Sequence, residues 1–353
     1  MNFYKNIITT SIFISVFLSC KKDTDPIIAI STGSERIQFN GIVGNEPTSA
    51  PANSVYLDFS NDKMTTSLRA GWDLGFYAGP DFRVILNITT VAGAKVTNKF
   101  DLNLITAIDT IGLSLSTSQF SPSVSDYSFF DNLSGDISQT LIPAVSATAS
   151  LNPVIILNRG TGGGIAARPW VKLRIFRNGN GYTIQYAGIQ ETVFKTLDIT
   201  KNDLYNFQFV SLDNGVVNVE PEKLKWDIVW SYSMYQANFG AGFVPYNFSD
   251  IITVNHLANV QVKEKVYADA ATAITAFAAF NIDSVAANTT LPGRWTIANN
   301  WRSTQPATGA KLDRFYVIKD ATGNYYKLKC LAMGVGTDGG VRGKPEFKYA
   351  LIK

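Results

Sequence analysis

The sequence predicts a mainly β protein, a duplicated antiparallel β unit with few short helices. Three observations carry that expectation. Aromatic residues reach 12% and charged residues only 17%; Asn, Thr and Ser are abundant and Glu is scarce, a profile that favours strands and turns. Trp72-Asp73-Leu74-Gly75-Phe76-Tyr77 and Trp226-Asp227-Ile228-Val229-Trp230-Ser231 repeat one pattern, Trp-Asp-aliphatic-x-aromatic, 154 residues apart. Each copy follows a strand-like lead, Val55 to Ser60 before the first and Phe209 to Asn214 before the second. The alternation within these stretches is that of strands with one buried face.

The chain has 353 residues, enough for one large β domain or two fused ones. Hydrophobic residues make up 46%, ordinary for a globular protein and too many for a disordered one. Net charge is +3, spread without a basic block, so nucleic-acid binding has no electrostatic footprint.

The N-terminus reads as an address. Lys5 precedes an apolar core from Ile7 to Leu18, the length of a signal-peptide h-region rather than of a membrane span. Phe17-Leu18-Ser19-Cys20 resembles a bacterial lipobox, with Phe in place of the usual Leu. Residues 1–20 are then a lipoprotein signal peptide, Cys20 the lipidated residue and 21–32 a tether. A plain secretory signal is the alternative. The acidic residues after Cys20 resemble the surface-export signals of Bacteroidetes lipoproteins. Each buried acyl methylene contributes about 0.8 kcal/mol, so several chains anchor firmly. Cys330 is the only other cysteine, which leaves no intramolecular disulfide once Cys20 is lipidated; it reads as a small buried hydrophobe.

The elements follow in order. Gly33, Gly41, Gly44, Pro47 and Pro51 break residues 27–54. Strands are expected at Val55–Ser60, Trp72–Ala78 and Phe82–Ile88, with Gly79-Pro80-Asp81 turning between the last two. The Ser/Asp/Leu-rich text from Thr97 to Ser150 suits short helices or an irregular excursion. Pro153–Leu157 is an apolar strand. Trp170–Phe176 and Tyr182–Tyr186 flank Asn178-Gly179-Asn180-Gly181, the strongest hairpin signal in the chain. Phe207–Leu212, Trp226–Tyr232 and Ile251–Val254 replay the first strands. Ala268–Phe280 is the expected helix, rich in good helix formers. Asp313–Ile318 and Tyr325–Leu331 form a hairpin that takes the same relative place as the Asn-Gly one. The boundaries that result are an N-terminal β unit at 33–200 and a C-terminal one at 201–353.

Trp226-Asp227-Ile228-Val229-Trp230, Asp313 to Asp320 with Gly323 to Lys329, and Arg342-Gly343-Lys344-Pro345-Glu346-Phe347-Lys348-Tyr349 resemble the HmuY family of Bacteroidetes haem-binding, haemophore-like lipoproteins. The likeness covers the segment from about residue 205 to the end best. Val55 to Asn87 and Trp170 to Tyr186 also look like the longer family members. It implies an HmuY-like β fold, an outer-membrane location with the cell surface as one possible face, haem b as cofactor, and a TonB-dependent transporter that takes haem onward.

Haem iron takes His, Met, Cys or Tyr ligands. His256 is the only histidine, so a bis-His site within one chain is excluded. The resemblance implies a ligand in the loop before the last hairpin, and here Trp295 to Lys311 contains neither His nor Met. The candidates are His256, Met234, Tyr235 and Met333, with Arg302 as a bidentate partner for a propionate. Three of these types have a structural alternative: a surface or hydrogen-bonded loop residue for His256, packing for the methionines, an ordinary surface role for Arg302. Thr161-Gly162-Gly163-Gly164 lacks the Gly-Lys-Ser/Thr of a P-loop and reads as a turn. Trp72, Asp73, Trp226 and Asp227 read as framework. One His, no Gly-x-Ser-x-Gly elbow and no clustered metal ligands point away from an enzyme. The alternative to haem is an HmuY-like lipoprotein that binds another ligand or a protein partner.

Overall fold

A computed structural model describes residues 29–286 and 290–353. Cys20, the 1–20 signal segment and most of the 21–32 tether lie outside the described residues. Ser31–Lys353 forms one compact unit. Among the described residues no helix is long and apolar enough to cross a membrane.

The chain is mainly β. It begins with β1 (Gly33–Gln38), β2 (Asn53–Asp58) and β3 (Lys63–Leu68), then β4 (Leu74–Tyr77) and β5 (Val84–Leu86). Next come β6 (Gly93–Val96), β7 (Ile155–Asn158), β8 (Val171–Asn178), β9 (Gly181–Gly188), β10 (Lys195–Ile199), β11 (Phe207–Ser211) and β12 (Gly215–Val217). The second half holds β13 (Ile228–Asn238), β14 (Phe243–Val254), β15 (Gln261–Val266), β16 (Arg314–Lys319), β17 (Tyr325–Ala332) and β18 (Glu346–Leu351). The Ala-rich helix α1 spans Ala270–Ala279, with Asp269 capping it through Thr272 N. The Thr97–Ser150 excursion is a string of short 3-10 turns. Capping boxes at Thr106/Asp109 and Ser123/Asp126 hold two of them.

The sheets repeat. One four-stranded sheet runs β14-β13-β2-β3 and the other β5-β4-β11-β12. One large sheet runs β1-β18-β17-β16-β15, with Leu291–Pro292 at its edge, and the other β10-β9-β8-β7-β6. The order is the same in each pair once β15, β16, β17, β18, β1 and β2 are matched to β6 through β11. The Asn-Gly hairpin β8–β9, with Gly179 at φ +54 in its turn, therefore corresponds to β17–β18. The sequence expectation matched it to β16–β17, one strand out. The sequence lacks the turn signal there because β17 and β18 are joined by a long loop rather than a tight turn.

The Trp-Asp stretches hold the two copies together by exchange. β4 pairs with β11 and β13 with β2, so each Trp-Asp strand pairs with the lead of the other copy. Asp73 accepts the Leu212 N–H at 2.9 Å, and Asp227 accepts the Phe59 N–H at 2.9 Å. Trp72 packs edge-on to Phe209 at 4.8 Å and Trp226 edge-on to Tyr56 at 5.1 Å. Asn87 Nδ2 donates to the Trp72 carbonyl and Asn255 Nδ2 to the Trp226 carbonyl. The boundary at residue 200 consequently runs through both four-stranded sheets. The apolar cores divide the chain differently. Leu74, Phe76, Leu157, Ile184 and Val210 belong to one, while Phe39, Leu57, Trp230, Trp301 and Phe347 belong to the other. The N-terminal segment thus completes the C-terminal copy.

Candidate ligand-binding site

The two copies differ most after the second Trp-Asp stretch. Asn87 follows Trp72 by 15 residues, whereas Asn255 follows Trp226 by 29. The extra length is the outer part of the β13–β14 hairpin, which begins at a bulge between Ser231 and Ser233. A bulge adds twist and re-aims the side chains beyond it. The outer hairpin carries a run of aromatic contacts. Phe239 meets Tyr246 at 5.2 Å, Tyr246 meets Phe248 at 5.1 Å, and Phe248 meets Tyr235 at 6.2 Å. Trp295 then stacks on Tyr235 at 4.3 Å. Trp295 is fixed by its indole N–H, which donates to the Leu133 carbonyl, and Arg294 lies 5.0 Å over its ring. Phe239 is 65% exposed. Apolar surface left in water in a connected patch is a recognition surface.

The expected ligand residues are not brought together. Tyr235 lies on this aromatic face, half-buried; burial raises its phenol pKa and a Gln236 hydrogen bond opposes that rise. Met234, next in line on the strand, turns to the other face and is fully buried with Ile88, Phe130 and Tyr232. Met333 is fully buried in the larger core, near Trp301 and Phe347. His256 sits in a 3-10 turn after β14. Its Nε2 lies 3.0 Å from the Gly135 carbonyl and its Nδ1 3.4 Å from that of Val254. Burial, and then the Arg294 charge, pushes its imidazole below the ordinary value. Metal ligation through Nε2 requires the Gly135 bond to break.

Arg302 is buried and engaged. Its guanidinium donates to the carbonyls of Ser249 and Asp250. Asp250 is fully buried at φ +56 and pairs with Arg342 at 2.7 Å. Trp301 beside it is a core residue whose Nε1 donates to the Asp250 carbonyl at 3.1 Å. The 295–311 stretch thus braces the base of the hairpin. The Gly162–Gly164 turn is likewise structural: Arg69 donates to the Gly162 and Gly163 carbonyls at 3.1 and 3.2 Å. Carbonyls turned to a cation are the opposite of an anion cradle. Asp73 and Asp227 belong to separate sheets, each bonded to the chain just past the lead strand of the other copy, at Leu212 and at Phe59. Cys330 is buried, which raises its thiol pKa. Phe239, Tyr246, Phe248 and Trp295 escaped the sequence reading. The alternation of Tyr246 and Phe248 was visible in it; the Tyr235–Trp295 stack, made across the fold, was not.

Fold and face together define a duplicated all-β protein that offers a connected aromatic surface on an extended hairpin. A family model described as HmuY protein matches residues 50–349. The match runs through both copies, and the chain belongs to the HmuY family. Haem binding and a haemophore-like role are associated with that family. No curated protein and no solved structure matches the chain.

Proposed function

We propose that this chain is an outer-membrane lipoprotein, anchored through Cys20, that binds haem on the aromatic face of the β13–β14 hairpin and passes it to a TonB-dependent transporter. The observation that supports this reading is the partly exposed run Phe239–Tyr246–Phe248–Tyr235–Trp295 in a member of the HmuY family. A flat macrocycle stacks on such rings and removes their exposed area from water. The residues present fit one axial ligand on this face, the Tyr235 phenol, a donor type known for haem iron. Bound haem would supply an iron centre for the phenolate. The protein's own contribution is to hold Tyr235 between Trp295 and Phe248 and to keep its hydroxyl hydrogen-bonded. An exposed shelf suits a carrier that must release its cargo.

Haem titration of the purified chain tests the reading. The expected result is a saturable Soret shift that Tyr235→Phe alters in position or intensity and His256→Ala leaves in place. Absence of a Soret shift in both redox states overturns haem binding. It leaves the second reading, a family member with another ligand or partner, which the engaged states of His256, Met234, Met333 and Arg302 favour.

A further inference from the structure

A cavity of about 120 Å³ lies between the two four-stranded sheets, on the faces turned away from the main cores. Tyr56 and Val229 line it from one sheet, Ile85 and Phe209 from the other, with Trp72 and Trp226 beside them. That volume is far below the ~300–1,000 Å³ of drug-sized pockets. It is close to the ~150 Å³ of engineered cavities that take benzene. The cavity is too small for haem, and it adjoins the aromatic face through Arg294, which lies over the Trp295 ring.

Apolar side chains and polar ones share its walls, and donors without partners meet there. Trp226 is 8% exposed and its Nε1 has no acceptor among the described residues. Tyr56 and the half-buried Arg294 line the same space, and neither makes a side-chain hydrogen bond or ion pair among the described residues; the Arg294 guanidinium lies over the Trp295 ring instead. A cation drawn out of water needs a partner. Two acids line the same cavity, and neither makes an ion pair with Arg294; Asp131 acts on it only at longer range. Asp131 is occupied at both oxygens, accepting the Leu86 N–H at 2.7 Å and the Leu141 N–H at 2.8 Å. Glu220 Oε1 accepts the Asn206 and Phe207 N–H groups, both at 2.9 Å. Burial pushes Glu220 up to about 8, so its carboxyl is mostly neutral near pH 7.

We infer that this cavity binds a small apolar carboxylate, with Arg294 as its counter-charge, the Trp226 N–H as a second donor, and Tyr56, Trp72 and Phe209 around its body. The Trp226 N–H and the Arg294 guanidinium are both donors, which selects a ligand that brings acceptor oxygens. The cation selects an anion over a neutral isostere. The aromatic walls select an apolar body over an inorganic ion.

Benzoate is the probe and benzamide its uncharged isostere, titrated into the full chain and followed by tryptophan emission and calorimetry. Expected is saturable benzoate binding, weaker benzamide binding, and a loss of about tenfold or more in benzoate affinity for Arg294→Gln, with benzamide unchanged. No saturable response to benzoate, equal affinity for the two probes, or an unchanged benzoate affinity in Arg294→Gln overturns the inference. If circular dichroism shows that Arg294→Gln does not fold, Val229→Phe, which fills the cavity from β13, decides. It must abolish benzoate binding, and retained affinity refutes the site. Soret titration in saturating benzoate keeps the two sites separable, because haem binding can fail or hold without moving these outcomes.

Discussion

Asp73 and Asp227 occupy the same place in the two copies, yet replacing each by Asn should have very different costs. Asp73 meets Arg159 through two bonds of 2.9 and 2.8 Å and Arg168 at 3.1 Å, and it is fully enclosed. Asp73→Asn keeps the shape and the Leu212 N–H bond but leaves two guanidinium groups short of a counter-charge. Arg159 retains Asp213, whose side chain is 61% exposed and therefore a weaker partner. Breaking a buried pair costs roughly 3–5 kcal/mol, and the remaining Asp213 contact puts the expectation near ~3 kcal/mol.

Asp227 has no cation within ion-pair distance among the described residues. Burial raises its pKa well above the usual carboxylate range, and Asp320 and Asp58 add to the rise. Its carboxyl is held towards the neutral form, so Asn reproduces its charge state and its bond from the Phe59 N–H. The expected cost of Asp227→Asn is under about 1 kcal/mol at neutral pH. The sign of the pH effect follows. A folded-state pKa raised above the unfolded one gives stability that is full below the unfolded value and lost as pH rises through the folded value. Asp227→Asn removes that loss, so the variant should gain on the parent as pH increases. Urea denaturation at several pH values reads both effects through the midpoint at constant m-value. Equal losses for the two variants, or a larger loss for Asp227→Asn at pH 7, would refute the reasoning.

Three further outcomes follow from the same coordinates. Glu220, pushed from 4.5 up to about 8 by burial, makes the parent lose on the order of a few kcal/mol as pH rises from below 4.5 through 8; Glu220→Gln should flatten that slope in urea titrations, and an unchanged slope rules Glu220 out as its source. A fragment of residues 201–353 lacks β1 and β2, which pair with β18 and β13; it should show poor amide dispersion by NMR, and a well-dispersed monomer contradicts the shared core. Met234→Leu and Met333→Leu are volume-conserving swaps at buried sites, each expected to cost under about 1.5 kcal/mol; both should leave a haem Soret band in place, and loss of the band in either names that methionine as a ligand.

Much of the fold was legible because its signals are local. Val55–Ser60 and Phe207–Leu212 alternate with period two, Asn178-Gly179-Asn180-Gly181 carries its own turn chemistry, and Ala270–Ala279 has helix formers throughout. β1 was hidden because its core contribution rests on Ile37, in a stretch punctuated by glycine and proline. The exchange of lead strands was illegible for a different reason. Asp73 could cap either lead, and nothing in chain order states that it caps the one 139 residues away rather than its neighbour. Of the candidate site, only Tyr235 was named from the sequence, because the shelf is made by residues that meet across the hairpin and from Trp295.

The duplication also explains where ligand chemistry can arise. Positions that both copies need, such as Trp72/Trp226 and Asn87/Asn255, make the same contacts in each and are fixed by the fold. Positions equivalent in the pairing but different in chemistry are free to specialise. Tyr56 stands opposite Val229 where the other copy sets Phe209 opposite Gly75. A Cβ on Gly75 would meet Ile85 at 2.8 Å and Phe209 at 3.2 Å, so Gly75 itself is covered by the two side chains that line the cavity from that sheet. In the second copy the corresponding space carries a hydroxyl and opens on the cavity. Gly75→Ala should therefore destabilise, its methyl forced against Ile85 and Phe209, by about 1–3 kcal/mol as overpacking does. Val229→Ala, at the matching position, should instead enlarge the cavity and relax its selectivity towards larger carboxylates such as naphthoate. Denaturation and probe titration of the two variants separate these effects, and a Val229→Ala chain that still excludes naphthoate would place the limit of the cavity elsewhere.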